Sequence, residues 1–313
     1  MSLYKTNQNQ KNIFYFVKLI LFIGVVFLVY WQIKNFDKNA WKSFNLESVI
    51  SLIIAVGLVF PNIWLAFMKW KVTVNIIDKS ADPVKLRHSF FAGLVTGMLT
   101  PNMVGNFIGR CFYFDRSQRI PITLFTLLAN FAQFLASLTF GWVAILIIGD
   151  LYLFESTSPF LALLGIGVIS AYLLYFFFDN FIFRIKTKGY FQLFRETLKR
   201  NRSYRIVILL LSFARFGIFT FQFLLLLHAF GEELSLQNIL AIWQVYLLTM
   251  LVPSLFLGKI GVRESVALYV LTGVGIGMNE YAVLLSSLMI WFINSLAPAL
   301  IGLVICKNKG LNE

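Results

Sequence analysis

The sequence predicts an all-α fold, a polytopic integral membrane helical bundle, and three observations carry that prediction. Hydrophobic residues make up 59% of the 313 positions and charged residues only 13%, too little charge to build a water-facing surface. Several apolar runs reach the roughly 20 residues that cross a hydrocarbon core about 30 Å thick. The short alternating segments of a membrane β-barrel are missing, and an open sheet would leave backbone amides unpaired in lipid.

Six full spans fit the chain in order: Ile13 to Trp31, Val49 to Trp70, Ile122 to Ile148, Pro159 to Ile182, Ile206 to Phe230 and Glu280 to Cys306. The first is too long for the core of a signal peptide and is followed by no small-residue cleavage site, so it reads as an anchor. Orientation follows from the charge of the short loops. The loop from Phe183 to Arg205 carries eight Lys and Arg against the single acid Glu196 and is expected in the cytoplasm. The connections Gly149 to Ser158 and Gly231 to Gln237 hold Asp150, Glu155, Glu232 and Glu233 with no Lys or Arg, and are expected outside. Both termini then fall inside, in a bacterial inner (plasma) membrane. Lys34, Lys38 and Lys42 in the first external loop run against the rule and are outvoted by the later loops. The net charge of +13 is therefore read as topology, because no separable basic domain suggests nucleic acid.

Two apolar segments do not fit as simple spans. His88 to Gly109 has basic flanks at both ends, and Asn238 to Gly277 must begin and end outside; both are interrupted by Pro and Gly. Such residues break helices, and broken backbone survives in a bilayer only where protein or a cavity surrounds it. Two re-entrant hairpins are expected. Their interruptions are similar: Leu99-Thr100-Pro101 followed by Gly105, Gly109 and Arg110, against Leu251-Val252-Pro253 followed by Gly258, Gly261 and Arg263, with the prolines 152 residues apart. The loop charges give the surrounding units opposite orientations, the pattern of an inverted repeat. On this reading residues 1–313 form a single transmembrane domain, with repeat units at about 49–148 and 206–306 and extra spans at 13–31 and 159–182. Pro and Gly are also common in membrane helices for packing alone.

From Trp70 to Cys306 the sequence resembles the membrane region of lysylphosphatidylglycerol synthases. The resemblance is carried by LTPNMVGNFIGR, Leu99 to Arg110, and by the more specific GKIGVRES, Gly258 to Ser265. It implies a membrane protein that handles lipid, in some members a flippase moving a charged phospholipid between leaflets. The sequence departs from the pattern in two places. Asn106 stands where an acid is expected, and no basic residue falls around Asn130 to Gln133 in the following helix. No aminoacyl-transfer domain follows Cys306, so lysine transfer to lipid is not expected of this chain.

The candidate substrate-binding residues are Arg263, Glu264, Arg215, Arg110, Pro101, Gly105, Gly258 and Gly261. Arg263 is assigned to a headgroup phosphate, which its planar fork grips bidentately, and Glu264 to orienting it or to holding a proton or ammonium. The alternative is a structural pair that staples the second hairpin to the bundle. Arg110 closes the first hairpin and reads phosphate in the same way, or snorkels to the interface with Arg116 and Arg119. Arg215 lies about ten residues into its span, roughly 15 Å deep, too deep for snorkelling. It faces inward, to meet a phosphate or to pair with Glu264. Asn130, Gln133, Gln222, Gln244 and Asn294 line a polar route or bridge helices. His228 is a weak relay signal.

The leading expectation is a flippase-like translocator of an anionic or zwitterionic phospholipid or lipid-linked headgroup. The alternatives are a non-transporting subunit that presents lipid to a separate transferase, and a membrane-embedded lipid-modifying enzyme. Against the last, the chain has two histidines, no HExxH, no paired-carboxylate motif and no Ser-His-Asp set, and neither metal nor cofactor is expected. Cys111 and Cys306 are too few for a disulfide framework. Expected partners are membrane lipids, a separate lipid-modifying or glycosyl transferase, and a second copy of the chain in a homodimer.

Overall fold

A computed structural model describes residues 47–100, 105–148, 158–182, 189–201, 203–251, 261–273 and 276–307. Every regular element among them is helical: α1 (Val49–Gly57), α2 (Val59–Asn75), α3 (Pro83–Met98), α4 (Gly105–Cys111), α5 (Arg116–Ile148), α6 (Ser158–Ile182), α7 (Tyr190–Arg200), α8 (Ser203–Ala229), α9 (Leu236–Leu251), α10 (Val262–Leu271), α11 (Glu280–Trp291), a π-helical turn (Phe292–Leu296) and α12 (Ala297–Lys307). Four stretches have the length and composition to cross a membrane: Val49–Asn75, Arg116–Ile148, Ser203–Ala229 and Glu280–Cys306. The expected span Pro159 to Ile182 is the 25-residue helix α6, and the expected span Ile13 to Trp31 lies outside the described residues. Leu163, Ile166, Ile169 and Leu173 on α6, like Ile50 and Ile53 on α1, point outward as exposed apolar side chains, a surface that only lipid solvates.

Two of the spans are interrupted, each for an identifiable reason. Pro61 has no N–H to offer the Gly57 carbonyl one turn earlier, and the helix breaks between α1 and α2 at Leu58. Pro298 likewise leaves the Asn294 carbonyl without its partner, and the chain widens into the π-helical turn just before it. The two prolines therefore bracket a pair of asparagines, Asn62 and Asn294, that meet inside the bundle.

The interrupted segments form helix pairs. In the first, Gly105 meets Thr96 and Gly109 meets Ala92, so α4 runs antiparallel along α3. The Thr96 hydroxyl donates to the Gly105 carbonyl at 2.6 Å, and the Gly105 N–H donates to Thr100 Oγ1 at 2.6 Å. A Cβ on Gly109 would overlap the Thr96 hydroxyl and the Ala92 carbonyl, so only glycine permits this approach. In the second segment α9 packs on α10. The pairs dock crosswise: α3 lies chiefly against α12, while α9 lies chiefly against α5, with α8 between α1, α2 and α5.

The basic stretch expected to be a loop contains a helix. α7 buries Phe194 and Leu198 against Phe125 and Tyr204, with the Phe125 and Phe194 rings 4.6 Å apart. Its apolar residues recur at helical spacing, a surface-helix pattern that the charge count obscured.

On the other loop, Glu232 Oε1 accepts the Asn279 N–H at 2.8 Å and ties the end of α8 to the start of α11. Burial raises its carboxyl above the ordinary range, the Asn279 N–H opposes that, and Glu233 and Glu47 add to it. A carboxyl raised in the fold binds its proton more tightly there than in the unfolded chain, so this group's contribution to stability falls as pH rises through that interval.

Two outcomes are expected. Gly109→Ala should destabilise the protein by about 1–3 kcal/mol, read as a lowered midpoint of detergent-solubilised unfolding. Glu232→Gln should raise the unfolding midpoint at pH 7 and match wild type once pH falls below the carboxylate range, at about 3.

Candidate functional site

The interior of the bundle holds a chain of polar side chains that begins on the first interrupted span. Asn62, Lys69 and Thr73 are all buried and follow one another at i, i+7 and i+11 along one face of α2. Asn62 Nδ2 donates to Asn294 Oδ1 at 2.5 Å. Asn294 Nδ2 lies within hydrogen-bond reach of Gln222 Oε1 and of the Ile290 carbonyl, each at 3.2 Å. Gln222 Nε2 donates to the Ala55 carbonyl at 2.8 Å, within the stretch leading to the break at Leu58. Arg215 Nε donates to Asn62 Oδ1 at 3.0 Å. Arg215 is thus directed inward, as its depth implied, but its partner is a neutral amide and not Glu264. Asn294 lies within the π-helical turn.

A second branch starts at Lys69, which is 7% exposed. Its Nζ donates to the Ala129 carbonyl at 3.2 Å and to Gln133 Oε1 at 3.3 Å, and Gln133 Nε2 reaches the Ser212 carbonyl at 3.4 Å. Lys69 from α2 thus places a basic group against Gln133, in the stretch where the sequence itself has none. Asn130 itself is exposed and lines nothing inside.

Arg110 completes the cluster from α4. It is 9% exposed, and its guanidinium lies 4.6 Å from the centre of the Trp70 ring and 5.4 Å from that of Phe90. The Trp70 indole N–H points at the Leu86 carbonyl (3.1 Å) and Ser89 Oγ (3.0 Å), which fixes the ring beneath the cation. Gly93 makes the room: a Cβ there would meet Arg110 Cγ and Nε at 2.6 Å and Asn106 Oδ1 at 2.8 Å. Arg110 Nε and Asn106 Oδ1 are both buried with no hydrogen-bond partner among the described residues. Arg110 rests on the ring of Trp70, the residue after Lys69, and Arg215 bonds Asn62 on the same helix. Three basic side chains therefore border α2, and their hydrogen-bond and ring partners are all neutral. Among the described residues they have no carboxylate partner, since the one ion pair there joins Arg263 to Glu264.

That ion pair is closed on itself. Arg263 Nη2 meets Glu264 Oε1 at 2.5 Å, and Arg263 also donates from Nε to Ser287 Oγ at 3.0 Å and from Nη2 to the Ser287 carbonyl at 2.5 Å. Ser287 Oγ donates to Glu264 Oε1 at 3.1 Å, while Glu264 Oε2 accepts the Gly261 N–H at 2.7 Å. Gly261 has φ +82°, a left-handed conformation suited to glycine. The network fastens the first turn of α10 to α11. The structure thus sets Arg110 and Arg215 against α2, through Trp70 and Asn62, and holds Arg263, Glu264 and Gly261 in a separate cluster, while Gly105 serves the close packing of α3 and α4. Pro101 and Gly258 lie outside the described residues. His228 Nδ1 lies 2.9 Å from the Glu232 carbonyl at the end of α8, and His88 Nδ1 lies 2.8 Å from the Val84 carbonyl.

The family model of the lysylphosphatidylglycerol synthase TM region matches residues 15–302. The chain belongs to this family. A lysylphosphatidylglycerol synthase TM region running through nearly the whole chain makes it a lipid-related, multi-pass membrane protein. No curated protein and no solved structure matches it.

Lys69 and Asn62 are the residues that inspection of the sequence missed. Lys69 stands one position before the expected end of its span, where a basic residue reads as interfacial, but α2 continues to Asn75 and places it inside. Asn62→Leu should cost about 1–3 kcal/mol, because Arg215 Nε and Asn294 lose a partner where water is excluded. A double-mutant cycle of Asn62→Leu with Asn294→Leu checks it, with non-additivity of at least about 0.5 kcal/mol expected.

Proposed function

We propose that this protein is a flippase-like translocator that passes the headgroup of an anionic or zwitterionic phospholipid, or of a related lipid, between leaflets through the polar interior of the bundle. The observation that carries this reading is the cluster of Lys69, Arg110 and Arg215 with neutral partners. Isolated charges in a low-dielectric interior are expensive, and a lipid phosphate is the counter-charge such a protein meets. Arg110 and Arg215 then hold the phosphate with Lys69, and the amides of Asn62, Gln133, Gln222 and Asn294 offer hydrogen bonds along the route.

The helix pairs α3/α4 and α9/α10 act as two re-entrant hairpins of an inverted repeat, with Gly105 letting α4 close on α3 and Gly261 turning the chain into α10. Supporting this is the crosswise docking, in which each pair rests on the closing span of the other unit. A matched pair of polar links supports it as well: Lys69 joins α2 to α5 through Gln133, and Gln222 joins α8 to the π-helical turn through Asn294. Lys69 and Gln222 are separated by nearly the interval that separates Pro101 from Pro253. Rocking of the units about the cluster gives alternate access. Arg263 and Glu264 clamp α10 to α11 and are the second place where a headgroup is received. Both termini sit in the cytoplasm of an inner-membrane protein, on the loop charges.

Purified protein reconstituted in liposomes with fluorescent phosphatidylglycerol, phosphatidylethanolamine or phosphatidylcholine, read by dithionite quenching, tests this. Wild type should expose inner-leaflet lipid. Lys69→Gln with Arg110→Gln should slow exposure by about tenfold or more, equivalent to about 1.4 kcal/mol or more, and Arg263→Ala with Glu264→Gln should also slow it. Folded wild-type protein that moves none of the three would turn the assignment to a subunit presenting lipid to a separate transferase.

A further inference from the structure

Resting on the translocator reading, we infer that the Lys69–Arg110–Arg215 cluster prefers a lipid whose phosphate carries two negative charges, a phosphomonoester or pyrophosphate, over the phosphodiester lipids it also passes. The argument is one of charge balance. Lys69 donates to a carbonyl and an amide oxygen, and Arg215 Nε donates to an amide oxygen. Arg110 rests on two aromatic rings, with its Nε buried and unpartnered. None of these neutral partners removes charge, and cation–π contact shelters a guanidinium without neutralising it.

Asn106 is decisive for the balance. It lies one helical turn before Arg110 on α4, and both side chains converge on the space that Gly93 leaves open. A carboxylate at that position would cancel the Arg110 charge, but a neutral amide stands there with a buried oxygen that lacks a partner. A phosphodiester brings one negative charge to three cations and leaves two of them uncompensated in a medium that punishes isolated charge. A phosphomonoester brings about −1.5 to −2 at neutral pH and three acceptor oxygens, enough for donors arriving from α2, α4 and α8 together.

The probes are dodecyl phosphate, its methyl ester dodecyl methyl phosphate, and inorganic phosphate, with binding to the detergent-solubilised full chain measured by thermophoresis. Dodecyl phosphate should bind at least about tenfold tighter than its methyl ester. Asn106→Glu places a carboxylate beside Arg110, and Lys69→Gln deletes one cation, so each should bring that ratio towards one. Both should also leave the unfolding midpoint of the empty protein equal to wild type or higher, since each relieves repulsion, and this separates lost preference from lost fold. Equal binding of the two amphiphiles, or an unchanged ratio in both variants, overturns the inference. If the amphiphiles bind equally while liposome exposure of phospholipid persists, the translocator reading stands alone; if neither binds and nothing is translocated, both fail. Inorganic phosphate binding as tightly as dodecyl phosphate supports the doubly charged ligand and overturns its being a lipid.

Discussion

Everything in the interior depends on the contact between Asn62 and Asn294, where two spans interrupted by prolines meet through their amides. In a bilayer no solvent reaches such groups, so each must find its partner in the protein. Asn62 answers to Asn294 on one side and Arg215 on the other, and Asn294 passes the requirement on to Gln222 and so to the Ala55 carbonyl. Four helical stretches are thereby fixed in register by groups that the apolar packing around them does not distinguish. The cores of Phe216, Phe223, Val245 and Ile290 fill space, but dispersion between apolar side chains is as good in many rotations of a helix. The amides choose one.

The two charged clusters represent opposite solutions to the same problem. Around Arg263 the negative charge of Glu264 is present, and every polar contact closes locally through Ser287 and Gly261. Around Arg110 the charge is lodged between rings with its nitrogen left unsatisfied. A network satisfied within the protein rigidifies it, and one left open invites a ligand. That contrast is why the functional reading leans on the cluster at α2, α4 and α8, although the sequence pattern drew attention first to the residues of the other.

The apolar runs made the helical membrane bundle legible, and the helix breaks at Gly105 and Gly261 were visible because glycine and proline act through local backbone geometry. Arg215 was readable for a similar reason: its depth is simple counting along one helix. Lys69 was not, because its meaning depends on where α2 ends, and a hydrophobicity window closes at Trp70 while the hydrogen-bonded helix does not. The π-helical turn before Pro298 was not read from the sequence, and the meeting of its Asn294 with Asn62 is a tertiary fact. The helix α7 was hidden by its own charges, which dominate a count but occupy only one side of it. The approach of Lys69 to Gln133 on another helix lies beyond any reading along one stretch of sequence.

The crosswise docking of the helix pairs has a consequence for how the protein is made. The pair α3/α4 is complete early in synthesis, but its main support, α12, is the last described helix to leave the ribosome. At roughly 5–20 residues per second, and with about 200 residues between them, the first pair waits on the order of 10–40 s for the surface it will rest on. During that interval Asn62 and Lys69 are already in or near the membrane, while Asn294 has not been translated. Until α12 is made, the surface of α3 that it covers and the Asn62 amide lack the partners that fix them, so the first pair reaches its final place only after the last described helix has entered the membrane.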